Sequence, residues 1–223
     1  MITTGEAVSS QYADLVAGGD IFYFQWEKDL LNWFQGFHNP VLDKINLFVT
    51  SLGDAGIFWI ALTLFMLICV GTRAWMNSDH RTLKTFIFAH QKQIAWASFW
   101  ALVLSVFIVN IVLKRVTVRC RPAWILDPLN QMLVFQDDYS FPSGHTSASF
   151  ASAVAIYRNN KKWGIPAIVL AACIAVSRLY LFIHWPTDVF VSLFIGVFCG
   201  VVGSWIAKKI QEKFGDAKEV SVD

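Results

Sequence analysis

Three short polar patches interrupt an otherwise apolar chain, and their residue types suit one kind of chemistry. The first is residues 114–122, KRVTVRCRP. The second is residues 142–145, PSGH. The third is residues 177–188, SRLYLFIHWPTD. Each borders or breaks a stretch apolar enough to cross a bilayer, where charge is costly and usually marks a site. Cations for an anion, two histidines and one carboxylate are the parts of phosphoryl transfer.

Lys114 and Arg121 are seven residues apart, about two helical turns, so on a helix they share a face. Arginine suits phosphate because its planar fork donates two parallel hydrogen bonds. Pro122 ends any helix before it. The plainer reading is a basic collar snorkelling to lipid headgroups. Arg115 and Arg119 are further cations, for headgroups or a second phosphate.

In the second patch Ser143 suits a helix N-cap, and Gly144 lets a backbone N–H approach an oxyanion. A helix starting there offers free N–H donors and a positive dipole end. His145, in the first turn, can exchange a proton. The plainer reading is a helix cap beside a hydrated histidine. In the third patch Arg178 lies in an apolar run, near the outer end of the segment 163–183. His184 follows six residues later and Asp188 four after that. The last two meet if the chain turns helically through Pro186. A carboxylate on one imidazole nitrogen leaves the other free to attack. The plainer reading is a structural His–Asp pair with a snorkelling arginine. Asp137 and Asp138 read as a solvated turn. With no acidic cluster for Mg²⁺, neither metal nor cofactor is expected.

The elements that must position these groups are helices in a membrane. Of 223 residues 56% are hydrophobic and only 15% charged, against roughly 25% charged in soluble domains. Ten Trp and nineteen Phe fit a lipid-facing surface with interfacial anchors. The four cysteines (Cys69, Cys120, Cys173, Cys199) lack metal-ligand spacing, and only Cys120 lies near the patches. Crossing a core of about 30 Å takes about 20 residues. Segments 55–71, 93–113, 145–157, 163–183 and 189–207 can do so, the third being short and rich in Ser and Ala. A span over 30–52 would bury Asp43 and Lys44, so two short amphipathic helices at the interface are expected there. Trp26, Trp33, Phe34 and Phe37 would form their apolar face. The fold class is thus all-α: an integral membrane bundle of about five transmembrane helices plus N-terminal interfacial helices.

Charge orients it. Arg73, Arg81, Lys84 and Lys92 in loop 72–92, Arg158, Lys161 and Lys162 in turn 158–162, and Lys208, Lys209 and Lys213 in the tail fall on one side. Positive charge favours the cytoplasm. Residues 1–54 carry Glu6, Asp14, Asp20, Glu27, Asp29, Asp43 and Asp54 against Lys28 and Lys44, and fall on the other side. The expected division is an extracytoplasmic or interfacial segment 1–54, a transmembrane core 55–208 and a cytoplasmic tail 209–223. The setting is a cell inner membrane, crossed several times, with all three patches facing outward. Loop 114–144 is basic in its first part, against the charge rule, and a phosphate site there would explain the exception.

Taken jointly, the patches resemble the type 2 phosphatidic acid phosphatases, which share a core with vanadium haloperoxidases. That signature is Lys, six residues, Arg-Pro; then Pro-Ser-Gly-His; then Ser-Arg, five residues, His, three residues, Asp. Lys114, Arg121-Pro122, Pro142-Ser143-Gly144-His145, Ser177-Arg178, His184 and Asp188 meet every spacing. The resemblance implies that His184 is the nucleophile and forms a phosphohistidine, which Asp188 orients and stabilises. His145 would protonate the leaving oxygen and then activate water. Lys114, Arg121, Arg178, Ser143 and the Gly144 N–H would hold the phosphoryl oxygens. The implied function is metal-independent hydrolysis of a phosphate or diphosphate on a membrane lipid. Undecaprenyl diphosphate is the first choice, with phosphatidylglycerophosphate, phosphatidate and lipid A behind it. The rival class is a protein that binds or transports anionic lipid uncleaved. The partners expected are the bilayer and its lipids, not nucleic acid, and the sequence leaves the oligomeric state open.

Overall fold

The computed structural model describes residues 19–76, 93–126, 134 and 136–215. Residues 77–92 of the expected basic loop, residues 216–223 of the tail, and Glu6 and Asp14 lie outside the described residues. In chain order the helices are α1 (Gln25–Gln35), α2 (Pro40–Ser51), α3 (Ile57–Met76) and α4 (Gln93–Val106). They continue with α5 (Pro122–Ile125), α6 (Gly144–Asn159), α7 (Lys161–Tyr180) and α8 (Pro186–Gly215). A 3₁₀ turn, Asp54–Gly56, joins α2 to α3. Helix α4 runs on as a wider π winding, Phe107–Leu113, and a last α turn, Lys114–Val116. Among the described residues β pairing is limited to one isolated bridge, Asp20 to Arg119.

Local chemistry sets the starts. Asn39 Oδ1 accepts from the Val41 and Leu42 amides, with Pro40 at the first helical position of α2. Ser143 caps α6 and Asn160 caps α7. Each satisfies amides that a helix start leaves without a partner. At the start of α8 the Asp188 carboxylate accepts the Trp185 amide at 2.9 Å, while Pro186 needs no hydrogen-bond acceptor.

The bundle centres on α6. Its Ala and Ser side chains are almost all buried, and small residues let helices approach closely. Helix α8 lies against it so tightly that a Cβ at Gly196 would sit 2.6 Å from the Ser147 carbonyl oxygen. Polar bridges align the helices: Trp59 Nε1–H donates to Ser149 Oγ at 2.9 Å, Ser105 and Ser147 share a hydrogen bond at 2.8 Å, and Thr63 and Ser98 another at 2.9 Å. Such bonds average roughly 0.6 kcal/mol in membrane bundles, so they set register more than they supply stability.

The outer surface is apolar. Phe65, Phe194, Phe198 and Trp205 are each more than half exposed. In water such patches would drive aggregation; in a bilayer they face their solvent. The chain is an integral membrane helical bundle. Among the described residues three helices are long and apolar enough to span: Gln93–Val116, Lys161–Tyr180 and Pro186–Lys213. The expected spans at 55–71 and 145–157 are helical but shorter in apolar length. The first offers Ile57–Ile68, and the second is a 16-residue helix.

The N-terminal segment folds as two short helices, and Asp43 is not left unpaired. His38 Nδ1 lies 2.8 Å from its Oδ1, and the Tyr180 hydroxyl donates to it at 2.7 Å. His38 Nε2 lies 3.0 Å from the Tyr180 carbonyl oxygen, which ties the α1–α2 turn to the end of α7. Trp26, Trp33 and Phe37 are exposed, but Phe34 is not part of that face. It turns inward against Tyr180, Leu181 and Ile183, where burial is available.

Candidate active site

The three patches converge on one cavity of about 460 Å³, lined by Lys114, Arg121, Gly144, His145, Arg178 and His184. Lys114 comes from the turn that ends α4, and Arg121 caps α5. Helix α6 brings Gly144 and His145, and α7 brings Arg178. His184 sits in the short link before α8. That link contains Phe182 with φ of 60°, a left-handed conformation costly for a bulky residue. Packing of Phe182 with Leu31, Ala123 and Trp185 holds it, and the chain turns there just ahead of His184.

The arginines differ in how they are held. Arg121 is buried and donates to the Asp138 and Ile183 carbonyls at 2.6 and 2.7 Å. Its Nη1 also lies 3.3 Å from His184 Nε2. Arg178 is fully buried and donates to Thr50 Oγ1 at 2.6 Å, while its Nε and Nη2 find no acceptor among the described residues. Buried guanidinium N–H groups are normally satisfied, so those in this cavity wall are set for an anion.

His184 is 1% exposed and Asp188 is fully buried. Because Arg121 donates toward Nε2, that nitrogen carries the lone pair and Nδ1 the proton. Nδ1 faces Asp188 Oδ2 at 3.7 Å, within ion-pair range but beyond a hydrogen bond. Burial, then the positive charges of Arg121, Arg178 and Lys114, hold the imidazole well below its ordinary range. A ring kept neutral with Nε2 unprotonated has the state a nucleophile needs.

Asp188 has other partners. Oδ2 accepts from the Ser140 hydroxyl and the Trp185 amide, and Oδ1 accepts from Arg119 at 2.5 Å. Arg119 is therefore not a headgroup cation. It is buried, donates to Glu27 at 2.8 Å and to the Phe22 carbonyl at 2.8 Å, and lies over the Trp185 ring at 5.3 Å. Glu27 also accepts from the Thr187 amide and hydroxyl at 3.1 and 2.6 Å. A buried arginine requires such a set of acceptors. Arg115, in contrast, is exposed.

Asp138 is not merely a solvated turn residue. Its carboxylate pairs with both Lys114 and Arg121 at the cavity. Burial acts upward on it, but Arg121 and Lys114 outweigh that and hold it below the ordinary carboxylate range. Ser143 is buried behind the cavity wall, where Oγ accepts from the Thr146 hydroxyl at 3.0 Å and amide at 3.4 Å. Cys120 is buried too, and its thiol is pushed up by burial and by Asp20. That makes it a poor nucleophile.

Sequence reasoning missed Glu27, Thr50, Asp54 and Asp138, and misplaced Arg119. Asp54 Oδ1 lies 2.7 Å from His145 Nε2.

Two histidines and three cations around one cavity in a membrane bundle define a membrane phosphatase. The sequence profile of the PAP2 superfamily matches residues 94–212, and the chain belongs to that superfamily. An undecaprenyl-diphosphatase of Bacillus subtilis is 26% identical over 163 residues, covering 73% of this chain and 74% of the relative. One from Sulfolobus acidocaldarius is 26% identical over 181 residues, covering 73% and 82%. Among solved structures, Aquifex aeolicus LpxE matches with a TM-score of 0.63 and 24% identity, covering 81% of this chain and 95% of that one. The protein is a lipid phosphatase.

Proposed function

We propose that the protein hydrolyses undecaprenyl diphosphate at the outer leaflet of an inner membrane through a phosphohistidine on His184. The observation that carries this is Arg178: a buried cation with unused donors, in the same cavity as Lys114, Arg121 and an unprotonated His184 Nε2. Lys114, Arg121 and Arg178, with the Gly144 amide, hold the phosphoryl oxygens, and Ser143 caps the helix that presents that amide. Their charge opposes the charge that builds on those oxygens in the transition state. Nε2 attacks phosphorus, the bond to the leaving oxygen breaks, and His145 protonates that oxygen. Asp188 supports the charged ring. Water then loses a proton to His145 and attacks the phosphohistidine, releasing orthophosphate.

The substrate assignment is supported by the names of the relatives. The outward orientation is supported by the acidic segment 1–54 and the basic residues Lys161, Lys162, Lys208 and Lys209. The test is a substrate panel in detergent: undecaprenyl diphosphate, phosphatidylglycerophosphate, phosphatidate and lipid A, with orthophosphate release as the readout. Undecaprenyl diphosphate is expected to show the highest kcat/KM. A different preferred lipid overturns the substrate, and equal release by wild type and His184→Ala overturns the nucleophile.

A further inference from the structure

The three sequence motifs do not complete the cavity. A fourth piece, the end of α2 and the turn after it at residues 50–54, touches two of the motif residues and lies outside the family match at 94–212. Thr50 is buried and accepts from Arg178 at 2.6 Å. Gly53 lies so close to His145 that a Cβ there would stand 2.7 Å from ring carbon Cδ2. Asp54 takes the ring nitrogen Nε2 at 2.7 Å. The imidazole is therefore gripped on one face by backbone and at one nitrogen by a carboxylate.

We propose that Asp54 is a positioning residue for His145, fixing its tautomer and stabilising its protonated form. The proposal rests on the acid and base roles given to His145 above. With Nε2–H committed to Asp54, Nδ1 is the nitrogen that exchanges protons. In the first half-reaction Nδ1–H passes its proton to the leaving oxygen; in the second, Nδ1 takes one from water. An imidazolium is needed at the start, and a carboxylate in hydrogen-bond contact favours it. Burial of the ring, then the positive charge of Arg178 on α7 and of Arg121 at the start of α5, act against that charged form, and Asp54 opposes them. His184 lies near it, and Lys114 and Asp138 line the same cavity. Asp54 is the carboxylate in contact with the ring. Gly53 explains why a glycine stands there, since a side chain would displace His145.

Thr50 has a separate task in the same turn. It engages Nη1 of Arg178 and leaves Nε and Nη2 without an acceptor beside the cavity that Arg178 lines. The two residues should therefore fail differently, one through proton transfer and one through binding.

The test is the pH dependence of kcat for Asp54→Asn and Asp54→Glu, with Thr50→Val as the contrast. Each variant is first shown to be folded by gel filtration and thermal unfolding in detergent. Asp54→Asn should lower kcat about 10- to 100-fold, within the usual worth of general acid–base catalysis, with KM changed less than about threefold. The alkaline limb should move to lower pH by about one to three units, the usual effect of an adjacent opposite charge. Asp54→Glu should restore part of that limb. Thr50→Val should raise KM and leave the limb in place. An Asp54→Asn profile lowered at all pH values with an unmoved limb overturns the inference, as does a change confined to KM. If wild type releases no phosphate from any lipid, the functional reading fails instead.

Discussion

Arg119 gives the sharpest test of how the site is held. Arg119→Met keeps most of the volume and removes the guanidinium. The side chain makes four hydrogen bonds, to the Phe22 carbonyl, Thr187, Asp188 and Glu27. Both carboxylates are fully buried. Removing one partner of a buried pair costs about 3–5 kcal/mol because a charge is left uncompensated. For a chain of this size that is a fall of about 6–20 °C in Tm. The assay is thermal unfolding in detergent, with phosphate release measured on the same samples. A cycle with Glu27→Gln isolates the pair. Neutralising Glu27 removes one stranded charge, so the double variant should fall short of the summed losses by about 0.5–3 kcal/mol. Activity should stay low in both Arg119 variants, because Asp188 loses its Oδ1 partner. Additive losses, or an Arg119→Met protein within about 0.5 kcal/mol of wild type, the usual range of a surface substitution, refute the account of a buried charge network.

Other outcomes follow from the same geometry. His184→Ala should abolish the acid-labile phosphoenzyme that rapid quenching traps in wild type; a phosphoenzyme of equal yield in the variant moves the nucleophile elsewhere. The His184 ring should resist protonation as pH falls through the range where an ordinary histidine titrates. Burial and three cations disfavour its protonated form, so its titration lies on the acid side of 6.5; an NMR midpoint at or above that value contradicts it. Asp138→Asn should tighten binding of orthophosphate or vanadate about fivefold. A half-exposed pair is worth up to about 1 kcal/mol, and its carboxylate competes for Lys114 and Arg121. Unchanged or weaker inhibition by vanadate counts against that competition.

The sequence carried the ligands of the site better than its supports. Lys114, Arg121, His145, Arg178 and His184 stand at fixed spacings within short segments, and that spacing is visible without a fold. Thr50, Asp54 and Glu27 meet their partners across 128, 91 and 92 residues, distances at which no periodicity survives. Arg119 looked like surface charge because a charged residue beside a membrane usually is. The bonds to the Phe22 carbonyl and Glu27, the bridge to Asp20 and the stack of Tyr23 on Trp185 show that the N-terminal segment covers it. Asp138 looked solvated because turns usually are, yet two cations nearby bring it to the cavity. Helices α4, α7 and α8 were legible because long apolar runs have few other uses. Helix α6 was less so, since buried Ser and Ala give a weak hydropathy signal.

Glu27 has a consequence for how the protein is made. Its carboxylate reaches forward to Thr187, 160 residues later in the chain. At about 5–20 residues per second, synthesis takes roughly 8–32 s to supply that partner. Until then, of its two distant partners, the acid can meet only Arg119, 92 residues along the chain. Among the described helices α1 thus completes its docking late, and the Arg119–Asp188 pair closes only once the start of α8 is made.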